Sequence, residues 1–141
     1  MRQTHHGWVS RRLMDMIPGQ FAETELIALR QLVDRYFEIK EYGFHVWGRR
    51  FYERLYVVRS KIDEALSTVR RSDLLTDEFG YIDLKIMLNI VRSEGMEWAA
   101  NEAPNKWPYR VDNEPVTYEN AREIVFGMIM VKLRKRIERQ M

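Results

Sequence analysis

Three of the chain's four prolines, Pro104, Pro108 and Pro115, fall within residues 101–115 (NEAPNKWPYRVDNEP), and none occurs between Gly19 and Ala103. Proline fixes φ and removes a backbone donor, so this cluster interrupts regular structure and divides the chain. The expected layout has four parts: a basic lead-in (1–20), a helical body (21–103), a proline-rich hinge (104–116) and a C-terminal apolar and basic helix (117–141). The fold class is mainly α.

Hydrophobic spacing supports helices on both sides of the hinge. Leu26, Leu29, Val33, Tyr36 and Phe37 recur at helical spacing, with Thr24 as candidate N-cap. Gly43 and Gly48 bracket Phe44-His45-Val46-Trp47, a segment compatible with a kink, a loop or one short β element. Phe51, Leu55, Val58, Ile62, Ala65 and Val69 follow at steps of 4, 3, 4, 3 and 4. That is the seam of a helix packed along its length on a neighbour, here the preceding helix in a hairpin. Asp83 can cap a short helix over 84–92, with Gly95 as its stop. Thr117 can cap a last helix running almost to Met141.

Charge narrows the function classes. Net charge is +2, but residues 72–102 hold two basic groups against seven acidic ones, while both flanking regions are net basic. An acidic middle argues against a nucleic-acid coat, whose affinity rests on a dominant basic field. The chain has no cysteine, which excludes disulfides, thiolate metal sites and a cysteine nucleophile. The first residues lack the apolar run of a signal peptide, and the longest apolar stretch (124–131) is too short to span a bilayer. A cytoplasmic protein with no membrane partner is the expectation.

Two groups of residues stand out as candidate partner-binding sites. Residues 124–131 (IVFGMIMV) are apolar on every side, more than one helix face needs, and adaptable methionines are among them. Ile124, Val125, Phe126, Met128, Ile129 and Met130 are therefore candidate anchors. If that helix projects as an arm, its basic tip, with Arg134, Lys135 and Arg136, adds an electrostatic contact. The alternative is that the apolar run packs on its own body. The second group lies where eight of seventeen aromatics crowd into residues 36–56. Arg49, Tyr52, Tyr56 and Arg59, spaced 3, 4 and 3, line one helix stripe beside the buried seam. Arg and Tyr are the usual energetic anchors of protein interfaces. The same pair can stack single-stranded bases, or simply form a packed rim.

Catalytic and cofactor chemistry finds no foothold. GxSxG, P-loop and GxGxxG patterns are absent, and His5, His6 and His45 have no metal-ligand spacing. A calcium loop aligned on Gly80 would put Leu75 first, Phe79 fifth and Ile86 last, which removes three required oxygens. No catalytic residue, cofactor or metal site is expected.

A cysteine-free, arginine-rich body over residues 6–109, followed by a tail that starts at Pro108-Tyr109, resembles phage-encoded inhibitors of bacterial RNA polymerase. The resemblance implies a non-enzymatic regulator that binds the polymerase β flap and σ region 4 and blocks −35 promoter recognition in the host cytoplasm. Two other expectations stand beside it. One is a helical phage structural or connector subunit that self-assembles through its C-terminal helix. The other is a nucleic-acid-binding protein that uses the Arg–Tyr stripe.

Overall fold

A computed structural model of the chain describes residues 20–40, 49–71, 77–107, 110–111 and 114–140. The expected break at 43–48 lies outside them. The fold is mainly α. α1 (Glu23–Lys40) and α2 (Arg49–Arg71) form the expected antiparallel hairpin, with Glu23 beside Arg70, Arg30 beside Asp63 and Asp34 beside Arg59. Leu55, Val58, Ile62 and Ala65 of the α2 seam are buried against α1, while Phe51 and Val69 close its ends half-buried. Thr24 does not cap α1. The helix starts one residue earlier, and Glu25 accepts the Ala22 backbone N–H at 2.9 Å. A carboxylate at that point also suits the positive end of the helix dipole.

α3 (Tyr81–Glu97) is longer at both ends than the expected 84–92 helix. Asp83 holds its start from inside the first turn, accepting the Gly80 N–H at 2.8 Å. Gly95 is not a stop. It is buried within the helix, which continues through a π turn (Trp98–Glu102) into α4 (Ala103–Lys106). Pro104 lies just past the π turn, within the first turn of α4. The regular structure therefore breaks after Lys106, later than the first proline. β1 (Arg110–Val111) pairs antiparallel with β2 (Glu114–Pro115), so the one described β element lies in the proline-rich segment.

Thr117 caps the last helix as expected, its Oγ1 accepting the Asn120 N–H at 3.1 Å. That helix comprises α5 (Tyr118–Arg122), a π segment (Glu123–Ile129) and α6 (Met130–Arg139). It is no projecting arm. Ala121, Val125, Ile129 and Leu133 are fully buried and Ile137 nearly so, in one core with α1, α2 and α3. The stripe advances in steps of four. An α turn takes about 3.6 residues, so four such steps would wander roughly 160° around a regular helix. The wider π turn, with Met130 N–H bonded to Val125 C=O, turns that drift back and keeps the stripe facing the core.

Gly95 lets the two helices meet. A Cβ there would lie 2.9 Å from Val125 Cγ1 and 3.0 Å from Phe126 Cζ. Two cations on the last helix then reach inward. Lys132 Nζ donates to Glu25 (2.7 Å) and to the Gln20 carbonyl (3.0 Å), and the Arg136 guanidinium forks onto Asp77 at 2.7 and 2.9 Å. Arg136 also lies over the Phe21 and Phe79 rings. Trp98 ties the proline segment to α1: its Nε1 donates to Gln31, and its ring meets Trp107 edge-on.

Leu133→Ala should cost about 2–5 kcal/mol in chemical denaturation, because it empties a fully buried site. Gly95→Ala gains about 1 kcal/mol of helix propensity but overpacks a tight contact by about 1–3 kcal/mol. A net loss of about 1 kcal/mol is expected. A stabilised Gly95→Ala protein would show that Val125 and Phe126 yield freely.

Candidate interaction surface

Antiparallel pairing of α1 and α2 turns a row of rings and charges outward along their seam. Phe37 of α1 packs against Tyr56 of α2, with ring centroids 4.7 Å apart and planes tilted by 43°, and meets Tyr52 edge-on at 6.1 Å. The Arg59 guanidinium lies over both rings, 4.8 Å from Phe37 and 5.3 Å from Tyr56. One of its nitrogens meets Asp34 at 3.2 Å, and Arg30 bridges Asp34 to Asp63. Tyr56 keeps 52% of its surface exposed although Phe37 and Arg59 pack against it. Burial tends to lower the Arg30 pKa, but hydrogen bonds and charge from Asp63 and Asp34 outweigh it, leaving the group raised.

Three of the four stripe residues, Tyr52, Tyr56 and Arg59, thus come together with Phe37, which sequence spacing assigned to the α1 core face. Arg49 opens α2, and its side chain lies outside what the structure describes. The second expected group divides. Val125 and Ile129 are sealed in the core, so neither can anchor a partner. Ile124, Phe126 and Met130 are half-buried against that core, and Met128 is half-buried. Arg136 is engaged by Asp77. Arg134 and Lys135 remain exposed on the outer side of α6.

One cluster had no local signal in the sequence. Arg35 of α1 meets Glu94 at 3.1 Å, Glu97 at 3.2 Å and also Glu102, so a single guanidinium gathers three carboxylates from α3 and the π turn. Burial alone would lower its pKa; the hydrogen bonds and charges of Glu102 and Glu94 raise it instead. Only the acidic bias of residues 72–102 hinted at such a site, because the partners lie 59 to 67 positions from Arg35.

Asp83 forms a further charged junction: it is fully buried and meets Lys61 at 2.7 Å and Arg54 at 2.9 Å. A cavity of about 300 Å³ lies nearby, lined by Ser60, Lys61, Glu64, Ala65, Thr68, Asp77 and Glu78. Its Lys61 and Asp77 are already engaged with Asp83 and Arg136. Among the described residues, no three His, Asp or Glu side chains group so as to hold a metal ion, and no helix is long and apolar enough to cross a membrane. No protein-family model, curated protein or solved structure matches the chain.

Behind the aromatic row, burial raises the Tyr36 pKa first, and the negative charges of Glu94 and Tyr52 add to it. The unfolded chain releases this proton near pH 10, before the folded one does. Stability should therefore fall as pH climbs past about 10, where the folded state holds a proton that the unfolded state has lost. Denaturation midpoints measured from about pH 9 upward should show a shallower alkaline decline in Tyr36→Phe than in the parent. Identical slopes would mean that Tyr36 does not titrate differently in the two states.

Proposed function

We propose that this chain is a non-enzymatic, protein-binding regulator that meets its partner with Phe37, Tyr52, Tyr56 and Arg59. The single observation behind this reading is Arg59, held over two rings and tied to Asp34 beside a half-exposed tyrosine. Side chains ordered in advance lose little freedom on binding, so their contacts contribute more to affinity. Tyr and Arg are also the types that dominate alanine scans of interfaces. Charge balance favours a protein over a nucleic acid. Arg30 and Arg59 converge on Asp34, and Arg30 also meets Asp63, so contact with phosphates here would release few counterions.

The first partner to test is bacterial RNA polymerase, through its β flap and σ region 4, because the resemblance to phage-encoded inhibitors implies it. In this reading the outer face of the helix hairpin occupies the polymerase surface and keeps σ from the −35 element. The buried apolar stripe of the last helix has no part in the contact.

Purified polymerase holoenzyme should be retained on the immobilised protein. Tyr56→Ala and Arg59→Ala should each weaken retention by about 2 kcal/mol, roughly 30-fold, with unchanged helical circular dichroism. No retention of polymerase removes that partner. Equal retention by the parent and both variants removes this surface. Truncation after Tyr109 is no test, since it deletes part of the core.

A further inference from the structure

We infer that a second copy of this chain docks head-to-tail, the basic outer face of α6 in one copy against the acidic end of α3 in the next. Arg134, Lys135 and Arg139 are exposed and form no ion pair with a described residue, and only Glu138 opposes them locally. Val131, 41% exposed, lies one turn before Arg134 and Lys135 on the same face. The tip therefore combines excess positive charge with one bare apolar side chain.

The other end carries the complement. Arg35 cannot neutralise Glu94, Glu97 and Glu102 together, and Glu97 presents 65% of its side chain to solvent. Met96 precedes it with 46% of its surface exposed, and the Tyr118 hydroxyl meets its sulfur at 3.7 Å. An adaptable thioether beside surplus carboxylate suits an apolar residue beside surplus cations.

Geometry keeps the two patches from satisfying each other within one molecule. α3 and the last helix run antiparallel, with Gly95 against Val125 and Phe126 at one end and Asp77 against Arg136 at the other. Arg134 to Arg139 then lie roughly 12–20 Å along the axis from Val125 and Phe126, and so from the Glu97 end. That exceeds the Debye length of about 8–10 Å at ordinary ionic strength. Two different patches at opposite ends make a heterologous contact, which grows into a ring or an open chain rather than a two-fold dimer. The contact rests on different residues from the Arg59 surface and stands or falls separately from the regulatory reading.

Light scattering across a concentration series at low salt tests the contact. At roughly 100 µM the parent should exceed monomer mass, and added salt should return it to monomer. Arg134→Glu with Lys135→Glu, and separately Glu97→Lys, should each raise the association midpoint by about tenfold or more. An equimolar mixture of the two variants should associate again, because each then offers the charge that the other lacks. That recovery also shows that both variants fold. A parent that stays monomeric, variants that associate like the parent, or a mixture that fails to recover would each overturn the inference. It is overturned as well if the α6 variant loses affinity for a single-stranded DNA probe while association is unchanged, which would make the tip a polyanion site.

Discussion

The contact between α3 and the last helix at Gly95 positions most of the remaining core. Without a Cβ at that point, Val125 and Phe126 lie directly on the α3 backbone. The stripe from Ala121 to Ile137 can then close the core over its whole length. Burying a side chain such as Val, Leu or Ile contributes about 1.5–3 kcal/mol before ordering costs, so this seal is a large share of the stability of a small domain. The π segment belongs to the same solution, because it holds a step-of-four pattern in line where a regular helix would carry it away from the core.

Polar anchors then fix the register of that closure. Lys132 reaches Glu25 and Arg136 reaches Asp77, two carboxylates that are themselves almost fully buried. Asp83 and Glu94 make corresponding junctions near the two ends of α3, with Lys61 and Arg54 and with Arg35. Burying charge is unfavourable, and such pairs seldom add net stability over well-packed apolar residues. They do penalise misplacement, since any shift of one helix leaves a charge buried and unpaired. That penalty favours the observed register of the last helix.

Once the core is closed, the described residues leave an aromatic and charged row on the α1–α2 hairpin and charged patches at the two ends of the α3–α6 pair. The aromatic row on the outer face of the α1–α2 hairpin packs Arg59 over Phe37 and Tyr56, in a setting where Asp34 and Asp63 balance Arg30 and Arg59. The two ends of the α3–α6 pair instead differ in charge, with three carboxylates around Arg35 at one and exposed Arg134, Lys135 and Arg139 at the other. These surfaces suit different kinds of contact: one depends on shape and stacking, the other on attraction that salt weakens.

Much of the local structure was legible from the residues. The α2 seam and the Thr117 cap stem from side-chain spacing and backbone chemistry, which act over a few neighbours. Local pattern misjudged Gly95, since a glycine that ends a helix and one that admits a neighbouring helix look alike until the neighbour is placed. It misjudged Arg136 as well, because a basic residue near a helix C-terminus reads as a solvated charge unless a distant Asp77 comes within reach. Arg35 and its three carboxylates left no local trace, being joined only by packing. By itself, then, the sequence determined the helices and their apolar content, through short-range sterics and periodicity. Only the tertiary structure decided whether the final helix faced solvent or core, because that choice depends on a close backbone approach and on charge pairs between residues far apart in the chain.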